Sequence, residues 1–313
     1  MTVRTAGTAA APAVALSRPG TPPATARRRS ASAPLWRGVR RLPAALGMVL
    51  VAVLFGFPLL WMALSAFKTT ASVVADAYPL TWRSVLPSDP TLGNLSRLFG
   101  ELGFGRTMWN TAVASAGQIL GSLVVCTLAG YAFARIRFRF REPLFALCMV
   151  GAFIPIEATV VPLYEVVRDL GLLSTYPVLF LPFVCNPFGV FLMRQGFRDI
   201  PEELFEAAAV DGAGVGTLFW RIALPNVRPT LASLALIQFI WSWSNYFWPL
   251  VAMQDPKRQV AQVAMAALQT NANNQPMYGE MFAAATVITI PLVLLSISLQ
   301  RYYVRGMLTA GLK

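Results

Sequence analysis

Residues 194–228 read RQGFRDIPEELFEAAAVDGAGVGTLFWRIALPNVR and stand between two long apolar blocks. The first part of this stretch has the composition of a short helix. Asp199 is placed to cap that helix, with Pro201 in its first turn and Glu202 three positions after the cap, the spacing of a capping box. The glutamates and alanines that follow are good helix formers. We therefore expect a polar helix at the start of the stretch.

A chain reversal follows this first helix. Asp211 and Gly212 interrupt the helical composition, and Gly adopts the left-handed conformation that a tight reversal needs. Residues 215–224 then predict a second short helix, which is apolar and ends before Pro225. The two arms together predict a helix–turn–helix that lies flat at a membrane surface.

The chain on either side of this loop is built from apolar blocks. It is 56% hydrophobic and 13% charged, whereas soluble domains have roughly 45–50% apolar and 25% charged residues. Each block is close to the roughly 20 residues that a spanning helix needs. We predict an all-α polytopic membrane helix bundle with six transmembrane helices, at residues 43–67, 108–134, 143–164, 175–193, 229–252 and 281–302.

Residues 1–42 differ from the remainder in composition. They are rich in Ala, Pro, Thr and Arg and have almost no large apolar side chains, so they cannot bury enough surface to offset their ordering entropy. The block that follows is longer than the roughly 7–15 apolar residues of a signal peptide. We predict a disordered basic tail at 1–42 and a transmembrane domain at 43–313.

The net charge of +12 is arranged by side of the membrane. Of the 26 Lys and Arg residues, 19 lie in the tail and in the connections on one side, and 7 lie in the connections on the other. Basic residues favour the cytoplasmic side, which predicts a multi-pass membrane protein with a cytoplasmic tail and cytoplasmic N- and C-termini. Because no basic face remains outside the tail, we expect membrane lipid and no nucleic acid among its partners.

The residues that most enzymes use are missing from the sequence. There is no His, the commonest general base near neutral pH. Cys126, Cys148 and Cys185 lie inside apolar blocks without a Cys-x-x-Cys pair, which argues against a metal site. No Gly-x4-Gly-Lys-Ser/Thr phosphate loop occurs. We therefore expect a non-catalytic subunit without a cofactor or a metal, with any ATP hydrolysis on a separate chain.

The loop itself resembles a known family. It resembles the EAA loop of permease subunits of type I binding-protein-dependent ABC importers, with both termini of that fold cytoplasmic. The resemblance implies that 43–313 form a transmembrane permease domain in the bacterial plasma (inner) membrane. It also implies a coupling loop at 194–228 that docks into a cleft on the ATPase subunit. Ten residues carry the resemblance, and the resemblance implies that they couple the permease to the ATPase. They are Glu206, Ala207, Ala208, Asp211, Gly212, Ala213, Phe219, Ile222, Leu224 and Pro225.

Further stretches resemble the carbohydrate class of this family, in particular the smaller inner-membrane permease of the maltose system. They include Ile200-Pro201-Glu202-Glu203-Leu204 and the ending at 303–313. One departure is that Ser244-Asn245-Tyr246 stands where the family usually has an acidic residue. The resemblance implies import of a sugar or sugar-like solute, a second permease subunit in a heterodimer, an ATP-binding cassette ATPase dimer and an extracytoplasmic solute-binding protein.

Polar side chains inside the apolar blocks are candidates for the substrate pathway, because such groups are costly in lipid and usually face a cavity or a partner. They are Glu157, Asn186 and Asn245. Hydrogen bonding between helices is the other explanation for them. An aromatic cluster could stack on a sugar ring or form the interfacial aromatic belt; its members are Trp241, Trp243, Tyr246, Phe247 and Trp248.

A different function class stays open at this point. A secondary transporter or a membrane enzyme acting without an ATPase partner would also have apolar spans and few charges. The coupling loop discriminates between the two hypotheses, since only an ATP-driven importer needs it.

Overall fold

A computed structural model of the chain describes residues 35–269 and 275–310, with side chains at 45–269 and 275–298. Most of the predicted tail, residues 1–34, and the final residues 311–313 lie outside the described residues. The chain divides into two compact units, residues 1–53 and residues 54–313. Helix α1, Leu35–Ser65, begins ahead of the predicted first span, and its side chains from 45 to 53 are exposed.

The described residues are mostly helical and contain no β-strand. Short 3-10 stretches occur at Gly151–Phe153, Leu181–Phe183 and Pro256–Arg258, and a π-helical stretch occurs at Leu218–Ala223. The remaining α-helices are α2 Thr70–Ala75, α3 Trp82–Val85, α4 Gly93–Gly100, α5 Phe104–Arg135, α6 Arg141–Val150, α7 Ile156–Asp169, α8 Tyr176–Phe180, α9 Pro187–Arg198, α10 Glu202–Val210, α11 Val215–Thr217, α12 Leu224–Asn226, α13 Arg228–Trp243, α14 Phe247–Ala252, α15 Ala261–Ala267 and α16 Tyr278–Ala310.

Three helices in the described part of the chain are long and apolar enough to cross a membrane unbroken: Ala45–Ser65, Phe104–Arg135 and Tyr278–Ser298. They match the first, second and sixth predicted blocks. The structure therefore has three candidate spans, or up to five if each of two bent helix pairs is counted as one.

The third and fourth predicted blocks are the bent pairs. Arg141–Phe153 and Ile156–Asp169 meet at 104°, and Tyr176–Phe183 and Pro187–Arg198 meet at 51°. Proline stands at or next to each break and removes a backbone donor there. The fifth block is also divided, because α13 ends at Trp243 and α14 begins at Phe247.

Helix α5 lies at the centre of the packing. It contacts α8, α9 and α13, and glycines on its surface let these elements approach. A Cβ added at Gly130 would stand 2.5 Å from the Cβ of Met193 and 2.9 Å from the backbone nitrogen of Arg194. Small residues of this kind are typical of close helix contacts in membranes.

The connection between α1 and α5 holds helices α2 to α4, which the sequence analysis did not predict. Asn94 of α4 is buried, and its Nδ2 donates to the carbonyls of Ala66 and Lys68 at 2.8 Å and 2.7 Å. Arg97 of the same helix pairs with the buried carboxylate of Glu280 at the start of α16. These contacts fix α4 against the ends of two long helices.

Candidate coupling loop and substrate cavity

The first arm of the loop is α10, which begins at Glu202 with Pro201 in the cap position. The prediction that Asp199 caps this helix is wrong. Asp199 instead ends the preceding helix α9, and its N–H bonds to the Gln195 carbonyl. The buried ring of Phe197, 0% exposed, explains the difference, because burying it extends α9 through Arg198, into the first residues of the predicted loop.

The reversal after α10 has the geometry that the sequence predicts. Gly212 is left-handed, with φ at +79°. Its N–H donates to the Ala209 carbonyl at 3.0 Å, and the N–H of Ala213 donates to the Ala208 carbonyl at 2.9 Å. These two bonds form a Schellman motif, which satisfies carbonyls that the helix end leaves free.

The second arm differs from the prediction that it ends before Pro225. The helical chain continues from α11 through the π-helical stretch into α12, which contains Pro225 and ends at Asn226. The wide turn lets the Leu224 N–H bond to the Phe219 carbonyl five residues back. A widened turn accommodates the proline ring, and π-helical turns are frequent at functional sites.

The predicted coupling residues fall into three sets by burial. Glu206, Ala207, Asp211 and Gly212 are exposed, and they surround the reversal. The ring of Phe219 is buried, with its centroid 4.9 Å from the ring centroid of Tyr131 on α5. The other members are half-buried: Ala208, Ala213, Ile222, Leu224 and Pro225. The loop thus presents a polar edge outwards and is rooted in the core through its second arm.

Arg135, the last residue of α5, anchors the first arm. Its Nη2 donates to the carbonyls of Phe197, at 2.7 Å, and of Ile200. Its Nη1 donates to Oε2 of Glu202 at 2.8 Å, and its guanidinium stands 4.2 Å from the ring centroid of Phe205. One side chain therefore ties the end of a long helix to the start of the loop.

Arg194 on α9 makes a second connection near the same end of α5. It is 5% exposed; its Nη2 lies 2.7 Å from both carboxylate oxygens of Glu142. Its Nε donates to the Phe133 carbonyl at 3.2 Å. This pair holds the start of α6 and the end of α5 against α9.

The predicted pathway residues come together at one cavity. It measures about 760 Å³ and is open on one side. Glu157 at the start of α7, Asn186 at the start of α9 and Asn245 in the break between α13 and α14 all line it. They are far apart in the sequence, and the bends in the predicted third, fourth and fifth spans place them around this one cavity.

The three residues differ in what their side chains do. Glu157 is exposed and makes no ion pair or hydrogen bond with any residue in the described ranges. Asn186 caps α9, since its Oδ1 accepts from the Gly189 N–H at 2.7 Å. Asn245 is half-buried and follows the end of α13. Glu157 is therefore free to contact a solute, whereas the Asn186 oxygen is already used.

The structure divides the aromatic cluster. Trp243 and Trp248 are buried, and their indole nitrogens donate to the carbonyls of Ile288 at 3.0 Å and Val178 at 2.8 Å. Trp241, Tyr246 and Phe247 line the cavity instead. Only these last three are placed to contact a solute.

With this geometry described, comparison with known proteins becomes informative. Residues 126–309 match the model of a family described as "binding-protein-dependent transport system inner membrane component". That range contains the whole coupling loop and most of the cavity lining. The chain belongs to this family. It is therefore a membrane-embedded permease of a binding-protein-dependent transport system.

Relatives of this permease match it over most of their length. The arabinooligosaccharides transport system permease protein of Halalkalibacterium halodurans is 32% identical over 86% of this chain and 95% of its own. The lactose transport system permease protein of Rhizobium radiobacter is 30% identical over 86% of this chain and 96% of its own. The sn-glycerol-3-phosphate transport system permease protein of Agrobacterium fabrum is 29% identical over 87% of this chain and 97% of its own.

Solved structures support the same fold for the permease. A chain of a bacterial ABC transporter involved in the import of the acidic polysaccharide alginate superposes with a TM-score of 0.74 at 23% identity, covering 87% of this chain and 99% of that one. A second structure, of a bacterial alginate ABC transporter in complex with an alginate pentasaccharide-bound periplasmic protein, has a TM-score of 0.53 at 17% identity and covers 86% and 95%. The fold class predicted from the EAA loop is confirmed as a type I ABC permease fold.

Sequence reasoning missed one set of cavity residues in this permease. Gln118 on α5 and Gln238 on α13 line the cavity and are almost fully buried. Gln118 belongs to a polar stripe whose spacing of three or four residues places it on one face of the helix. The stripe consists of Thr107, Asn110, Thr111, Ser115, Gln118 and Ser122. That spacing within the apolar block 108–134 was the available signal.

Proposed function

We propose that this permease forms the translocation path of an ATP-driven importer for a sugar or sugar-like solute, together with a second permease subunit. Two relatives are transport proteins for arabinooligosaccharides and for lactose, which favours a carbohydrate. So does a cavity lined by amides and aromatic rings, since stacking and hydrogen bonding are how such sites hold polar ligands. The solute would come from an extracytoplasmic binding protein, as the periplasmic protein in the alginate importer structure suggests.

For the topology, we propose six spans with both termini in the cytoplasm. Each bent pair would count as one span, and α13 with α14 would supply the remaining one. The 16 residues of α13 extend about 24 Å at 1.5 Å per residue, and α14 supplies the rest of the roughly 30 Å hydrocarbon thickness. The distribution of Lys and Arg supports this orientation.

We further propose that an ATPase dimer drives transport through the exposed edge of the coupling loop at Glu206, Ala207, Asp211 and Gly212. The observation that carries this proposal is the anchoring of the loop by Arg135. Arg135 belongs to α5, and its side chain bonds to Phe197, Ile200 and Glu202 in the loop. A displacement of the loop would therefore be transmitted to α5. Gln118 lies 17 residues further back on the same helix, about 26 Å away along its axis, at the cavity.

Two glycines allow a matched test of the coupling loop. Gly212 and Gly171 are both left-handed, with φ of +79° and +69°, and neither has another atom within 4 Å of an added Cβ. Valine at either position strains the backbone by roughly 1–2 kcal/mol. Only Gly212 lies in the loop.

The complete transporter would be reconstituted in vesicles, and both ATP hydrolysis stimulated by the binding protein and solute uptake would be measured. We expect Gly212→Val to lower both at least about fivefold, the lower end of typical coupling free energies, while Gly171→Val keeps both. Uptake by the wild-type chain without ATP, or normal stimulation in Gly212→Val, would contradict the proposed coupling role.

A further inference from the structure

The two buried glutamines at the cavity form a direct pair. Nε2 of Gln118 donates to Oε1 of Gln238 at 3.0 Å, and the two residues are 4% and 0% exposed. Each amide has a second polar atom. Oε1 of Gln118 and Nε2 of Gln238 have no hydrogen-bond partner among the described residues.

These two atoms constitute an incomplete hydrogen-bonding site at the cavity wall. A buried polar atom without a partner is unfavourable. The assignment of oxygen and nitrogen does not matter, because reversing both amides again leaves one free oxygen and one free NH2. In either orientation the pair therefore has one free acceptor and one free donor.

One acceptor beside one donor complements hydroxyl groups, because each hydroxyl both donates and accepts a hydrogen bond. Neighbouring hydroxyls of a sugar ring could satisfy both atoms at once. A phosphate or a carboxylate has only acceptors when ionised, so it would satisfy the NH2 group and oppose the amide oxygen. The pair thus favours a solute that presents neighbouring hydroxyls over one that presents only an anionic group.

The charge of the cavity lining disfavours an anionic solute. Its lining contains no Lys or Arg, and its one carboxylate is Glu157, which has no cationic partner among the described residues. An anionic solute would meet a like charge at Glu157. The relatives include permeases named for neutral solutes and for an anionic one, so family membership does not decide the charge of the solute.

We infer that Gln118 and Gln238 form a binding subsite for a pair of hydroxyl groups on an uncharged carbohydrate. The inference rests on the proposed transport function and adds the charge class of the solute and the groups that bind it. Helices α5 and α13 each supply one of the two amides. Both free atoms have almost no accessible surface, so a solute would reach them only when α5 and α13 move apart at the cavity.

The double variant Gln118→Met/Gln238→Met separates binding from packing. Replacing both partners of a buried hydrogen bond by apolar groups of similar shape is nearly neutral for stability. If the pair only stabilised the fold, this variant would transport normally. We expect uptake at saturating solute to fall about tenfold, equivalent to about 1.4 kcal/mol, while ATP hydrolysis stimulated by the binding protein stays within about twofold.

The assay uses the reconstituted complete transporter with radiolabelled arabinotriose, lactose, maltose and sn-glycerol 3-phosphate as probes. Gln254→Met, on an exposed residue outside the cavity, is the control and should keep wild-type uptake. The corresponding Leu pair gives a second apolar variant of different shape, and the same loss is expected. Because hydrolysis is read separately, failure of this inference differs from failure of the coupling proposal, which would remove stimulated hydrolysis.

Two results would overturn the inference. One is wild-type uptake of glycerol 3-phosphate with no uptake of any neutral probe. The other is wild-type uptake of a neutral probe by the assembled Met or Leu double variant. Import of a neutral probe that these variants lose, with hydrolysis retained, supports it.

Discussion

Nη1 of Arg135, at the end of α5, lies 2.8 Å from Oε2 of Glu202, the first residue of α10. The ion pair is the weaker part of this anchor, because the Glu202 side chain is 68% exposed and exposed pairs contribute only about 0–1 kcal/mol. The same guanidinium also serves the carbonyls of Phe197 and Ile200, whose residues are buried. Charged hydrogen bonds of that kind contribute about 1.5–3 kcal/mol, so these carbonyl bonds dominate.

Because the carbonyl bonds contribute more than the ion pair, substitutions of Arg135 and of Glu202 should have different effects. Arg135→Gln leaves buried carbonyls unpaired and frees the start of the loop, so we expect stimulated ATP hydrolysis to fall roughly fivefold or more. Glu202→Gln removes only the exposed pair, and we expect less than about a twofold change. Both are measured in the reconstituted transporter. Arg137→Gln, an exposed arginine of the same segment, controls for the lost charge, and an equal loss in all three variants would contradict the anchor.

The contact between α5 and α9 gives a prediction about stability. A Cβ at Gly130 would stand 2.9 Å from backbone atoms of Met193 and Arg194, and a backbone cannot move aside as a flexible side chain can. We expect Gly130→Ala to destabilise the permease by about 1–3 kcal/mol and to lower its yield. Thermal denaturation in detergent measures the effect. Gly56→Ala, at a helical position with open space around it, should leave the midpoint unchanged or raise it slightly.

The positions of the long unbroken helices could be predicted from the sequence, because the length of each apolar block determines them. Phe104–Arg135 extends the predicted span 108–134 by only a few residues at each end. The bends in the other spans depend on which elements pack around each proline, which composition does not reveal. Similarly, the local sequence indicated Asp199 as the cap of α10, and only the burial of Phe197 in the core makes Asp199 the end of α9 instead.

In the candidate sites, too, features set by local sequence could be predicted, and features set by packing could not. The left-handed Gly212 was predictable because local sequence sets a turn. The Gln118–Gln238 pair joins residues 120 positions apart, so no local pattern could identify it. The aromatic cluster looked uniform in sequence, yet packing placed two tryptophans in the core and left Trp241 at the cavity.

The tryptophans at the end of α13 should respond differently to truncation. Trp243 is 5% exposed and stacks on Phe239 with ring centroids 5.1 Å apart. We expect Trp243→Ala to destabilise the fold by about 3–5 kcal/mol. Trp241 is 47% exposed at the cavity, so Trp241→Ala should retain the thermal midpoint but lower sugar uptake several-fold, since stacking contributes about 0.5–1.5 kcal/mol. A matched loss of stability in both variants would argue that Trp241 is only structural.

Glu157 provides a test of how the cavity selects charge. It is exposed at the cavity and unpaired among the described residues, so Glu157→Gln should leave the thermal midpoint unchanged. A carboxylate accepts hydrogen bonds about twice as strong as those of a neutral group; we therefore expect a several-fold lower uptake of the neutral probe. Removing the negative charge should also reduce the exclusion of glycerol 3-phosphate, and the ratio of neutral to anionic uptake should fall.

Glu165→Gln, an exposed residue of the same helix outside the cavity lining, should change neither quantity. Unchanged uptake and an unchanged ratio in Glu157→Gln would remove this residue from the pathway.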